Sequence, residues 1–422
     1  MSGATARRNL GIFVNRFIPW ATPLLEFVYI RLVRRACVAL IQCARKAIPT
    51  SSERFGPPKG VVVTMPEWIE RDAKRGRILS RSRENKADLR ADPEPEAERG
   101  SLPESGSEDN RRELRLVELY EARVCTENGA ILGRDDRLIA EVTPRDPWFD
   151  CNQHEVLLRL RLPRINRQAK RAACVYTHPA LAHNYGHWLF ECVSKLGALK
   201  ESYGWESFDQ IVVNRIDHPF QDESLRLAGI PREKMMELDH RLHLKAESLV
   251  ASSYVAYASK ETPKWVCDAV RRLILPEKRE AEPRRKIYLT RKHANRRKLI
   301  DEEEVVRLLG EYGFEEVVPE KLSLSEQAAL FDESKWVIGL YGAALCNLVF
   351  CRPGSLLLEL HVAIVPNCNY YKELAGTCAV RYERVEAKPV SYQQGRGAYY
   401  ADVRIDIEEL EQKLRSLESG SV

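Results

Sequence analysis

The stretch KWVIGLYGAALCNLVF, Lys335–Phe350, decides the fold. Its first part is a short apolar run with β-branched Val337 and Ile338, and it reads as a buried strand that stops at Gly339. Gly342, Ala343 and Ala344 then open a short helix, ALCNLVF. Small residues at such a junction let another group approach the backbone. The unbonded amides of the first helical turn point outward with the helix dipole behind them, which suits a phosphate or diphosphate. A tight strand-to-helix turn also serves packing alone, and this stretch by itself leaves both readings open.

Outward from it, the alternation is regular. KIYLT is a strand. DEEEVVRLLGEYG is a helix capped at Asp301, with acids in its first turn and Gly313 to end it. FEEVV is a strand, and SLSEQAALFDES is a helix opened by a Ser323–Glu326 capping box. SLLLEL is a strand and NYYKELAG a helix. Strands separated by helices predict a parallel, doubly wound sheet. Upstream, ACVYTHP and DQIVVN read as buried strands, and GHWLFECVSKLGALKESYG as a helix with Trp188, Cys192, Leu196 and Leu199 at helical spacing. Two such lobes, 113–275 and 284–390, would leave a cleft between them.

Two further stretches carry chemistry. YLTRKHANRRKLI starts at the carboxyl end of a strand, where ligands gather in open α/β sheets. Arg291 and Arg296 offer planar forks of donors that match phosphate oxygens, although most basic runs are solvated loops. HNYGHWLFE holds His183, Asn184, His187 and Glu191. His187 and Glu191 share a helix face one turn apart, which favours acid–base work. Zinc on His183, His187 and Glu191 is the alternative, but the glutamate lies outside the histidine pair, unlike H-E-x-x-H. Nowhere does D-x-D occur, so phosphate charge falls to arginines and helix amides.

Composition sets the bounds. The chain has 422 residues, 44% hydrophobic and 30% charged, with a net charge of +5. That length supports two domains with real cores, and that charge is too dilute to argue for nucleic acid. The eleven cysteines are odd in number and form no C-x-x-C, so neither a disulfide framework nor a cysteine zinc site is expected. No secretory signal is visible at the start. Residues 1–50 carry a basic amphipathic stretch whose longest charge-free run is far short of a membrane span. It reads either as a surface-lying helix with Trp20, Phe27 and Tyr29 as anchors on anionic membrane, or as a helix docked on the protein's own core. Residues 51–79 connect, 80–112 have the composition of a disordered linker, and 391–422 form a tail and helix.

The three motifs, in this order, resemble glycosyltransferase family 61. Asn184, His187 and Glu191 fit its N-x-x-H-x-x-x-[D/E]. Thr290, Arg291 and Arg296 fit its strand followed by S/T-R and a second arginine. Gly339, Gly342, Ala343, Leu345, Asn347, Phe350 and Glu359 fit its glycine-rich block and the glutamate-bearing strand beyond. Tyr341 stands where the family has histidine, and Ala344 where it has a second glycine. The resemblance implies a GT-B-like fold of two Rossmann-type lobes, acceptor side 113–275 and nucleotide-sugar side 284–390. It implies inverting, metal-independent sugar transfer from a nucleotide-sugar donor to a glycan or lipid-linked acceptor, of the kind that builds surface polysaccharide. On it, Glu191 or His187 is the base. Asn184, Arg291, Arg296, Tyr341 and the Gly342–Leu345 turn hold the donor with Asn347, and Glu359 holds the ribose. No cofactor is expected, and the place of work would be the cytoplasmic face of the inner membrane. A zinc hydrolase and an inactive nucleotide- or glycan-binding module are the alternatives.

Overall fold

The computed structural model of the protein describes residues 34–47, 58–63, 65–82, 114–144, 151–159, 161–253, 262–275, 282–362, 369–390 and 401–419. Trp20, Phe27 and Tyr29, nearly all of the expected linker and residues 391–400 lie outside them. The chain divides into two compact units. One comprises Met1–Leu79, Val117–Ala172 and Leu238–Ser253; the other comprises Ser80–Leu116, Ala173–Glu237 and Tyr254–Val422. The segment 113–275, expected as one lobe, contributes to both.

The first unit is strand-rich. Strand β1 (Gly60–Val62) runs parallel to β6, while β2 (Gly76–Ser82) pairs with β3 (Leu114–Tyr120). Strands β4 (Arg123–Cys125), β5 (Ala130–Leu132) and β6 (Arg137–Ile139) form an antiparallel meander. Strand β7 (Arg167–Val175) leads into the second unit, which continues with β8 (Gln210–Val213) and β9 (Met235–Glu237), a parallel pair. Strand β10 (His243–Ser252) returns to the first unit, antiparallel to β4. Helix α1 (Arg34–Ala47) packs on the short turns Cys151–Gln153 and Glu155–Leu158, and its Val38 touches a core of Cys125, Leu132, Leu138, Val156 and Leu157. Leu40 of the same helix is 69% exposed. Part of its apolar face is therefore docked on its own unit, as one of the two expectations held. Helix α2 (Met65–Glu70) buries Met65, Trp68 and Ile69.

The second unit opens with helix α3 (Pro179–Ala182) and a helical run over 185–203. That run has three parts: an α turn α4 (Tyr185–His187), a wider π segment Trp188–Val193, and α5 (Ser194–Tyr203). Next come α6 (Pro219–Leu227) and α7 (Lys264–Ile274). The rest is β11 (Arg285–Leu289), α8 (Glu302–Glu311), β12 (Glu315–Val317), α9 (Leu324–Asp332), β13 (Ser334–Leu340), β14 (Leu356–His361), α10 (Tyr370–Thr377), β15 (Arg381–Pro389), β16 (Val403–Ile405) and α11 (Ile407–Ser419). These strands form one sheet in the order β12-β11-β13-β14-β15-β16, with every pairing up to β15 parallel and β16 antiparallel. Strands β15 and β16 extend the four that the sequence predicts.

Apolar side chains on one sheet face, Ile338, Leu340, Leu358 and Leu360, pack under Val305 and Leu309 of α8 and Leu410 and Leu414 of α11. Each such leucine contributes about 2 kcal/mol by leaving water. The order places the site: β12 lies on one side of β11 and β13 on the other, so the chain reverses direction across the sheet there. Loops leaving the carboxyl ends of β11 and β13 must diverge, which opens the crevice where doubly wound sheets bind ligands.

Candidate active site

Thr290 and Arg291 follow β11 directly, and Glu302 in the first turn of α8 fixes them. One oxygen of Glu302 accepts from the Thr290 hydroxyl at 2.9 Å, the Arg291 amide at 2.7 Å and the Tyr288 hydroxyl at 2.8 Å. The Arg291 guanidinium then folds back on its own loop: Nε donates to the Arg297 carbonyl at 2.9 Å and Nη2 to the Arg296 carbonyl at 2.7 Å. Nη1 lies where a Gly342 side chain would stand. Arg291 and the turn after β13 are therefore in contact, as a joint anion cradle requires. Burial, and then the charge of Arg297, hold the Arg291 guanidinium below its ordinary pKa. Two close guanidinium groups in a half-buried crevice favour an anion between them. Arg296 itself is exposed and reaches the site through its carbonyl.

Beyond Gly342 the short helix expected is a 3-10 helix, Ala343–Phe350. The helix type matters for the amides. In the tighter helix the Leu345 amide already donates to the Gly342 carbonyl at 3.0 Å, and Leu345 is buried. Ala343 and Ala344, both half-buried, keep amides with no hydrogen bond among the described residues. Tyr341 lies under the Arg297 guanidinium, 5.2 Å from its ring centre, and meets Tyr371 edge-on at 4.9 Å. The Tyr371 hydroxyl donates to the Gly342 carbonyl at 2.6 Å, which fixes the turn from behind.

The other half of the site lies on the helical run. The Asn184 side chain accepts from the Gly186 and His187 amides at 3.0 and 3.3 Å and so starts the helix at Tyr185. The His187 Nδ1 sits 2.8 Å from a Glu191 oxygen. The Thr177 hydroxyl donates to the other oxygen, and Glu191 has no exposed surface. Asn214 holds Thr177 by its backbone, accepting from its amide at 2.9 Å and donating to its carbonyl at 2.8 Å. The carboxylate thus points into a polar pocket, while the His187 side chain keeps 14% exposure.

The two halves meet. The Tyr185 hydroxyl donates to Asn347 Oδ1 at 2.5 Å, and Asn347 Nδ2 donates to Gln327 at 2.8 Å. Asn347 is wholly buried, so it joins α4, α9 and the 3-10 helix rather than lining the crevice. Glu359 is wholly buried too. Its Oε2 accepts from the Tyr382 hydroxyl at 2.8 Å, and His361 Nδ1 lies 3.6 Å from Oε1. The zinc arrangement is not formed. His183 turns to His218 Nε2 at 3.3 Å and Asp217 at 3.9 Å, away from the His187–Glu191 pair. Among the described residues no three His, Cys, Asp or Glu side chains are placed to hold a metal ion.

Thr177, Glu302, Arg297 and Tyr371 take part without having been singled out in the sequence. Arg297 stood in the basic run; the others carried no motif, and only their burial and partners reveal them.

Residues 185–358 match the family model described as Glycosyltransferase 61. The EGF domain-specific O-linked N-acetylglucosamine transferase of Drosophila melanogaster is 32% identical over 129 residues, which cover 30% of this chain and 24% of that protein. The chain thus spans about a quarter of that relative's length. Residues 185–358, with their motifs brought together in one unit, thus resemble glycosyltransferase family 61.

Proposed function

We propose that the chain is an inverting glycosyltransferase that takes a sugar from a nucleotide-sugar donor without a metal ion, on a GT-B-like scaffold. The observation that carries this reading is the Tyr185–Asn347 bond, which joins the His187 turn to the 3-10 helix behind the anion cradle. A general base and a leaving-group site have to face one reacting carbon, and that bond sets their spacing.

With Nδ1 held by Glu191, His187 accepts the acceptor's hydroxyl proton through Nε2. The freed oxygen attacks the anomeric carbon from the face opposite the diphosphate. The bond to the diphosphate breaks with its electron pair, and the growing negative charge meets Arg291 and the amides of Ala343 and Ala344. Glu191 orients the imidazole and stabilises it once protonated; a carboxylate with no exposed surface does not itself reach a substrate. Removing one preorganised donor of this kind typically costs ~3 kcal/mol of barrier.

The relative's name makes a nucleotide-linked N-acetylglucosamine the first donor to test, with a glycan or lipid-linked acceptor in surface polysaccharide synthesis. A basic helix α1 with Leu40 exposed supports peripheral contact with the inner face of an anionic membrane. Donor turnover is to be measured with nucleotide-linked sugars for the unaltered chain, His187→Gln and Arg291→Ala. Loss in both variants is expected. Unaltered turnover in both sinks the proposal, and donor binding without turnover in the unaltered chain leaves a binding module instead.

A further inference from the structure

We propose that Lys195 is a positioning residue for the His187–Glu191 pair: its buried ammonium balances the Glu191 carboxylate and thereby fixes which ring nitrogen of His187 carries the proton. This rests on the reading of His187 as the base.

The need for a cation follows from burial. Glu191 has no exposed surface, and an ionised carboxylate taken out of water is costly unless charge or hydrogen bonds compensate it. Thr177 supplies a neutral hydroxyl. A histidine that is to accept a proton is neutral as well. Lys195 follows Glu191 by four positions on the same helical run and is 4% exposed. Its Nζ donates to the Tyr176 carbonyl at 3.1 Å, one residue before the threonine that holds Glu191. Strand end and helix face thus bring the ammonium and the carboxylate to one buried pocket.

Among the described residues, the elements packed against this helical run bring neutral groups to its neighbourhood. From the β7 side come Tyr176, Thr177 and Cys174, whose thiol burial pushes up to about 12. On the helix itself Cys192 is pushed further up by burial. Asn214 after β8 is neutral. Helix α6 buries Gln221, Ser224 and Leu225, and α7 brings the Cys267 thiol, which its hydrogen bond with Cys378 and burial raise well above the usual range. Burial lowers the Lys195 ammonium, while Cys192, Glu191 and Cys174 pull it back up.

The consequence concerns hydrogen-bond direction. An ionised Glu191 only accepts, so the neutral imidazole turns its Nδ1–H to it and presents Nε2 as the base. A protonated Glu191 is a donor. It keeps its proton and donates a hydrogen bond to the Nδ1 lone pair instead, the ring's own proton then sits on Nε2, and the substrate-facing nitrogen can no longer accept.

Nitrogen-15 NMR of histidine-labelled protein reads this directly, with the His187 signals assigned by their loss in His187→Gln. We expect Nδ1 protonated and Nε2 bare in the unaltered chain, and the opposite tautomer in Lys195→Met. A folded Lys195→Met chain that keeps the original tautomer overturns the proposal. If that variant does not fold, Glu191→Gln/Lys195→Met decides. Recovery of folding in the double variant supports charge balance, and failure to fold beside a folded Glu191→Gln overturns it. A His187→Gln chain that still transfers sugar defeats the base reading and leaves the tautomer result standing.

Discussion

At Gly342 an added methyl group has no room. Its φ of −179° is open to any residue, so the constraint is space: Arg291 Nη1 occupies the position of the missing Cβ, and two carbonyls hold the guanidinium there. Gly342→Ala is expected to weaken nucleoside diphosphate binding about tenfold or more, ~1.4 kcal/mol. Titration calorimetry checks this, with unchanged far-UV dichroism showing an intact fold. A second residue predicts a pH response in the first unit. Burial, with the charge of Arg123 behind it, pushes His243 down to about 4 from the usual 6.5, and its Nδ1 donates to the Pro163 carbonyl at 2.7 Å. Between those pH values the unfolded chain binds a proton that the folded chain refuses. Stability is therefore unaffected above about 6.5, falls as pH drops towards 4, and loses up to ~3 kcal/mol below that. Urea unfolding across this window should show the fall, and His243→Gln should flatten it. Asn184, His187 and Arg291 were legible in the sequence because their backbone position and chemistry travel in short motifs. Lys195, Thr177 and Glu302 were not, since a lysine, a threonine and a first-turn acid acquire their roles only from what buries them.

Among the elements, helix starts were the most legible. The capping box of α9 forms as read, with Ser323 and Glu326 exchanging bonds of 2.8 and 3.2 Å. A second cap on that helix was invisible. Glu223 of α6, about a hundred residues upstream, accepts from the Leu324 and Ser325 amides at 2.6 and 3.0 Å and from the Ser325 hydroxyl at 2.7 Å. Glu223→Ala is expected to destabilise the chain by about 1 kcal/mol. The urea midpoint should fall at constant slope, and a change below the error of the fit would count against the cap. The helix types were not legible either. Apolar spacing marks ALCNLVF and WLFECV as helical, but whether a turn closes as 3-10, α or π depends on what packs against it. At Ala343 that choice decides how many amides remain open, and at Glu191 it falls in the π segment, within reach of Thr177.

At the scale of the molecule, the parallel sheet after residue 284 followed from alternation, because each strand–helix repeat is local and its crossovers have one hand. The first unit did not. It is assembled from three separate stretches, and β10 pairs with β4 across more than a hundred positions. Nothing in the period of a strand names its partner. The bonds from Tyr185 to Asn347 and from Glu223 to α9 span 162 and about a hundred positions. They bear on any attempt to dissect the chain. A fragment ending near residue 253 strands the Tyr185 phenol without its acceptor and the Glu223 carboxylate without its helix, and one beginning near 282 bares the other ends. The piece beginning near 282 should not melt as a cooperative body in calorimetry. A sharp transition from it alone would mean that the matched region is divisible after all.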